Sequence, residues 1–261
     1  MFRRKDRTVK QPFRRFPRPE RWQDIPLINF TTWDNEHGHD SENNLTYDEN
    51  SITLTDIYPA HTTCYFPHYD YWTGGGGKYK KNVEIRFGLK VTAISQNFEP
   101  MGIVFLTNGG EAACMEGMGG GASGGPGCFV SYDAADATRF LLYAGALNHN
   151  EFTYCAAGPL LGTQYYVKLR RIFLWPGAYN QVMADIYTDA EYTTRAKQSP
   201  PNATVDIPTW GENDVDLAMG SLLHKHLTFA MSYQYYISEG GTTSLVISDV
   251  RVVQNDSIGY P

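Results

Sequence analysis

Residues 164–189 read Gln164-Tyr165-Tyr166-Val167-Lys168-Leu169-Arg170-Arg171-Ile172-Phe173-Leu174-Trp175-Pro176-Gly177-Ala178-Tyr179-Asn180-Gln181-Val182-Met183-Ala184-Asp185-Ile186-Tyr187-Thr188-Asp189. Tyr165, Val167 and Leu169 alternate with Lys168 and Arg170, and Val182, Ala184 and Ile186 alternate with Gln181 and Asp185. Period two on both sides of a Pro-Gly turn predicts an antiparallel hairpin with one apolar and one charged face. An apolar sheet face gains its burial energy, about 1.5–3 kcal/mol per large side chain, only when a second layer covers it. The hairpin therefore predicts a two-layer protein. Lys168, Arg170, Asp185 and Asp189 are then read mostly as a solvated outer face.

The same alternation recurs in both directions along the chain. Val83, Ile85, Phe87, Leu89 and Val91 alternate with Glu84, Arg86, Lys90 and Thr92; Leu227, Phe229, Met231, Tyr233 and Tyr235 alternate with Thr228, Ser232 and Gln234. Shorter strands are expected at 52–55, 62–66, 103–107, 128–132, 139–143 and 151–155 and a further long one at 245–253, with no segment of helical period. The 18 Tyr and 25 Gly among 261 residues favour strands and turns over helices. The fold class follows: all-β, a two-sheet antiparallel β-sandwich with an extended N-terminal arm.

That arm, residues 1–26, precedes a single domain over 27–261. Residues 1–22 carry nine Arg or Lys against Asp6 and Glu20, a net +7, which leaves −13 for the rest of a chain whose total is −6. Pro12, Pro17, Pro19 and Pro26 disfavour a helix there. Interleaved rings and cations suit docking, and the arm residues assigned to it are Arg3, Arg4, Lys5, Arg7, Phe13, Arg14, Arg15, Phe16, Arg18, Arg21 and Trp22. Nucleic acid is a second partner those cations could serve. The N-terminus shows no apolar stretch of the secretory type, so synthesis in the cytoplasm without a cleaved signal is expected. No run of 18 apolar residues exists, so no membrane-spanning helix is expected.

Motifs with chemistry are few. The loop at 34–42 offers Asp34, His37, His39 and Asp40 to a cation such as calcium, but its spacing matches no EF-hand, and it reads first as exposed polar chain. No cofactor is expected. Gly74-Gly75-Gly76-Gly77-Lys78 fails as a phosphate loop because Tyr79 stands where Ser or Thr is required. Residues 117–127 hold seven glycines in eleven positions and read as a mobile loop. Cys114 and Cys128 flank it and are the one pair worth testing for a disulfide; Cys64 and Cys155 complete the set, and no CxxC is present.

Gly162-Thr163-Gln164-Tyr165-Tyr166-Val167-Lys168-Leu169-Arg170, then Ala184-Asp185-Ile186-Tyr187-Thr188-Asp189, Phe229-Ala230-Met231-Ser232-Tyr233 and Ile247-Ser248-Asp249-Val250-Arg251-Val252 together resemble the concanavalin A-like jelly-roll superfamily of LamG modules, lectins and glucanases, over about residues 50–253. The resemblance implies a jelly roll shared by sugar-binding lectins, glycosidases, adhesion modules and proteins of phage particles. The glucanase branch implies a Glu-x-Asp-x-x-Glu strand. Here Glu212-Asn213-Asp214-Val215-Asp216 comes nearest, with Leu217 in place of the last Glu, and His224 and His226 lack a third partner. The chain is therefore expected to be no enzyme but a structural or interaction protein of a large assembly. The form expected is a capsid decoration or minor structural protein of a phage-like virion, docking on neighbouring subunits and forming homo-oligomers. A glycan-binding module using Tyr69, Tyr71, Trp72 and Trp175 is the alternative expectation, and a glycoside hydrolase the third.

Overall fold

A computed structural model describes residues 23–24, 29–32, 45–57, 82–96, 101–107, 124–146, 151–174, 179–198, 203–204, 226–231 and 241–255. In chain order the strands are β1 (Gln23–Asp24), β2 (Leu45–Tyr47), β3 (Ser51–Ile57), β4 (Asn82–Ile94), β5 (Met101–Thr107), β6 (Gly124–Tyr132) and β7 (Arg139–Ala146). They continue with β8 (Glu151–Leu160), β9 (Tyr165–Leu174), β10 (Tyr179–Tyr187), β11 (Lys197–Gln198), β12 (Ala203–Thr204), β13 (His226–Met231) and β14 (Thr243–Asn255). Among the described residues the one helical segment is a 3-10 turn at Phe30–Thr32.

Seven strands form one sheet in the order β10-β9-β4-β14-β3-β2, with β1 on β14. Five form a second in the order β13-β5-β6-β7-β8, and β11 pairs with β12 in a small ribbon. All pairings are antiparallel. The chain is an all-β sandwich, as the alternation requires. β9 and β10 pair antiparallel from Tyr179↔Leu174 to Tyr187↔Tyr166, as the expected hairpin requires. The two closing strands, neighbours in sequence, lie in opposite sheets: β13 is an edge strand on β5, whereas β14 runs between β4 and β3. Gln23–Asp24, at the end of the segment read as an arm, lie on β14 of this same chain.

The core is built by one parity of each strand. Val83, Ile85, Phe87, Leu89 and Val91 of β4, Val167 and Leu169 of β9, Ala184 and Ile186 of β10 and Leu245 and Ile247 of β14 are buried together with Cys128, Val130, Phe140, Leu142 and Ala144 of the other sheet. Tyr165 bridges the layers. Its ring meets Phe140 edge-on at 6.3 Å, and its hydroxyl accepts the Leu160 N–H at 3.0 Å, so the buried phenol keeps a partner. Between β8 and β9, Gly162 adopts φ +74°, and its N–H donates to the Val91 carbonyl at 2.8 Å, tying the turn to β4.

One expectation about the glycine-rich stretch is corrected. Gly124–Gly127, assigned to a loop, are the first residues of β6. They pair with β5 and with Gly145 and Ala146 of β7, across an irregularity in the β5 register. Glycine lowers strand propensity, but a ladder completed on both sides satisfies the backbone without side chains. The earlier part of that stretch lies outside the described residues, as does Cys114; Cys128 is buried in β6.

Candidate functional site

The other parity of the seven-stranded sheet faces away from the core, and its register assembles a charged, tyrosine-bearing surface. Arg251 of β14 stands opposite Arg86 of β4, Arg86 opposite Lys168 of β9, and Lys168 opposite Asp185 of β10. Directly opposed residues share a face, so these four form one row across four strands. The next row is Ser248, Gly88, Tyr166 and Tyr187. On the other side, Glu84 stands opposite Arg170. These groups come from chain positions 84 to 251, and only the sheet order brings them together.

This surface is not the solvated face the alternation suggested. Asp185 is only 2% exposed and Tyr187 6%. The turn after β10 produces the difference. Residues 188–195 fold back over the sheet: the Thr188 N–H donates to the Thr194 carbonyl at 2.9 Å, and the Ala196 N–H to the Ile186 carbonyl at 2.9 Å. The turn is stapled from inside by Asp189. Its Oδ1 accepts the Thr193 N–H and hydroxyl, both at 3.0 Å, and its Oδ2 accepts the Thr194 N–H at 2.5 Å. The Thr193 and Thr194 donors hold the Asp189 carboxyl well below the usual carboxylate range, at about 2.

Within that turn Tyr192 takes φ +58°, a left-handed conformation unusual for an aromatic residue. Its ring lies edge-on to Tyr187 at 5.5 Å and to Tyr166 at 6.1 Å. The Arg86 guanidinium stands 5.6 Å from its centroid, and the Lys168 ammonium 5.3 Å from it and 5.1 Å from the Tyr187 centroid. Lys168 is thus held between two phenol rings. Burial pushes the Lys168 ammonium below its ordinary value, against the opposing pull of Glu84. Burial likewise pushes the Tyr192 phenol up, against the stabilising charge of Arg86, so the hydroxyl keeps its proton at neutral pH.

The carboxylates are committed to cations. Asp185 is paired with Arg170, and Arg195 Nη2 lies 3.6 Å from its second oxygen. Glu84 Oε1 accepts Arg86 Nε at 2.6 Å and Nη2 at 2.5 Å, which leaves Nη1 of Arg86 for another acceptor. Arg86, Lys168, Arg170 and Arg251 of the strands and Arg195 of the covering turn thus stand near Glu84 and Asp185, while Asp189 and Glu191 belong to the turn itself. Beside them Gly88 leaves room for two side chains from its flanks, because a Cβ there would collide with the Ser248 hydroxyl and stand 2.9 Å from Gln164 Nε2.

The arm residues 3–22, the candidate cation ligands Asp34, His37, His39 and Asp40, the aromatics Tyr69, Tyr71, Trp72 and Trp175, and the Glu212–Asp216 run all lie outside the described residues. Among the described residues no group of three His, Cys, Asp or Glu could hold a metal ion. The signal that could have marked the present site is Tyr192, three residues beyond a Tyr-Thr-Asp strand end, together with the charged parity of β4 and β9.

No protein-family model and no curated protein sequence matches the chain. Among solved structures it is similar to an alginate lyase from Pseudomonas aeruginosa, at 9% identity over 82% of this chain and 87% of that one, with a TM-score of 0.45. It is similar to the alginate lyase Aly36B at 12% identity over 91% and 98% of the two chains, TM-score 0.43. It is also similar to part of a Trypanosoma rangeli sialidase, at 9% identity over 83% of this chain and 27% of that one, TM-score 0.39. Likeness at this level is one of β-sandwich architecture. Against the expectation of a non-enzymatic structural protein, these three similar structures are two alginate lyases and a sialidase. The virion and capsid-decoration assignments find no counterpart in these three structures.

Proposed function

We propose that the chain is a carbohydrate-active enzyme that binds an anionic polysaccharide across the outer face of β14, β4, β9 and β10 and cleaves it by elimination. The row Arg251–Arg86–Lys168, with the Tyr192 ring against Arg86 and Lys168, carries this reading. Guanidinium and ammonium groups beside low-dielectric aromatic walls recognise carboxylate or sulfate, and tyrosine rings offer apolar faces to sugars.

The disposition of the carboxylates separates the two ways of cutting a glycosidic bond. Hydrolysis needs one carboxyl as acid and a second as nucleophile or base, both reaching the substrate. Here Asp185 is buried against Arg170, and Glu84 is tied to Arg86. Elimination needs what this face supplies. Arg86 and Lys168 would neutralise a uronate carboxylate and so acidify the adjacent C–H. Water, as the base, takes that proton, the C4–C5 double bond forms as the C4–O bond breaks, and the departing oxygen takes a proton. Tyr192, whose ring lies beside Arg86 and Lys168 and whose hydroxyl keeps its proton at neutral pH, is the donor we assign.

The test is incubation of the full chain with alginate, pectate and hyaluronate, with a neutral glucan as control. Ultraviolet absorbance reads the conjugated product, and reducing ends are assayed in parallel. Both signals should rise together on at least one anionic polymer. Reducing ends without absorbance would replace elimination by hydrolysis, and neither signal with any polymer would overturn the reading.

A further inference from the structure

Among the described residues the Asp189 carboxylate bonds only within the turn that carries Tyr192, to Thr193 and Thr194. We infer that Asp189 is a positioning residue, which fixes Tyr192 as the roof of an anion seat formed by Arg86 and Lys168. The inference rests on the reading of this face as a site for anionic glycan, and it makes residues 188–195 the segment that sets the strength of binding there.

Four observations carry it. Tyr192 sits at φ +58°, a backbone state that an aromatic side chain adopts only when neighbours enforce it. The enforcement is local: the Tyr192 N–H donates to the Asp189 carbonyl at 3.2 Å, and the next two residues donate to the Asp189 carboxylate. The ring so placed touches both aromatic neighbours, Tyr166 and Tyr187, and both cations, Arg86 and Lys168. The groups that the Asp189 carboxylate holds, Thr193 and Thr194, directly follow Tyr192, so its effect on the seat is expected to pass through Tyr192.

The function of such a roof is dielectric. An ammonium and a guanidinium open to water attract an anion weakly, and salt screens them. The same cations under an aromatic ring lose part of their hydration and bind a carboxylate more strongly. Removing the roof should therefore weaken binding without changing the number of cations that a polyanion meets. That number is read separately, as the slope of log affinity against log salt.

The experiment compares the full-length chain with Asp189→Ala, Asp189→Asn, Tyr192→Ala, Tyr192→Phe and the double Asp189→Ala/Tyr192→Ala, measuring alginate affinity over a salt series and titrating tyrosine by ultraviolet absorbance. Arg86, Lys168, Glu84, Asp249, Tyr166 and Tyr187 surround the phenol and are kept in all variants. Asp189→Ala and Tyr192→Ala should each weaken binding about fivefold at unchanged salt slope, Tyr192→Phe should bind nearly as the wild type, and Asp189→Asn, which retains one acceptor oxygen, should fall between. The double variant should bind no more weakly than Tyr192→Ala alone, because Asp189 acts through the ring. In Asp189→Ala one phenol should titrate at lower pH than in the wild type. Additive losses in the double variant, or an Asp189→Ala chain with wild-type affinity and phenol titration, overturn the inference. A wild-type chain that binds no polyanion overturns the reading of the face and the anion seat with it, while the phenol titration still decides whether Asp189 holds Tyr192.

Discussion

Replacing Arg170 by Met is the most informative single perturbation of this sheet. The Asp185 side chain is 3% exposed and pairs with Arg170, itself 26% exposed; Arg195 is the second cation, at 3.6 Å. Breaking a buried ion pair from one side costs about 3–5 kcal/mol, because the remaining charge has neither water nor a partner. Arg195 can take over part of the role, so the lower end, about 3 kcal/mol, is expected. In urea, where a protein of this size has a slope of about 2–3 kcal/mol/M, that loss lowers the midpoint by about 1 M. The control is the double variant Arg170→Met/Asp185→Leu, which removes both charges and keeps the volume. Apolar replacement of a whole buried pair is often close to neutral, so the double variant should be more stable than Arg170→Met alone. Equal midpoints for the wild type and Arg170→Met would refute the claim that Asp185 depends on this pair. A double variant less stable than the single one would refute the account of why.

Three further outcomes follow from the same geometry. Gly88→Ala places a methyl against the Ser248 hydroxyl and Gln164 Nε2 and should cost about 1–3 kcal/mol in chemical unfolding; Ser248→Ala in the same chain should recover part of it, and no recovery would deny the collision. Asp189 has its folded pKa lowered to about 2 from 3.8, so its contribution to the 188–195 turn is complete above about pH 5 and is lost as pH falls from about 4 toward 2. Carboxyl NMR of Asp189 should show that low midpoint, and a midpoint near 4 would contradict the staple. Arg86→Gln should reduce the salt slope of polyanion binding by about one, as expected for one lost contact to the polymer. An unchanged slope would remove Arg86 from the binding face.

The alternation in 83–91, 165–169 and 182–186 was enough to read those strands, their antiparallel hairpin and the apolar parity, because each shows in neighbouring residues. Sheet order was not legible. That Arg251 stands beside Arg86, or that β13 and β14 part company into opposite sheets, depends on pairings between positions far apart in the chain. The same limit explains the principal error at the site. A Lys or Asp on the outer parity of a strand reads as solvated, since most such faces meet water. Whether this one does is decided by residues 188–195, which return across the sheet. Tyr192 looks from the sequence like one more aromatic near a strand end, yet its left-handed backbone and the Asp189 staple put it over Lys168 and Arg86. One eight-residue turn thus changes the chemistry of three strands, from a hydrated charge pattern to cations held under a ring and a carboxylate buried among arginines. A charged parity on adjoining strands, followed by a short polar turn containing a single aromatic, is therefore a pattern in which the outer face of a sandwich should not be assigned to solvent.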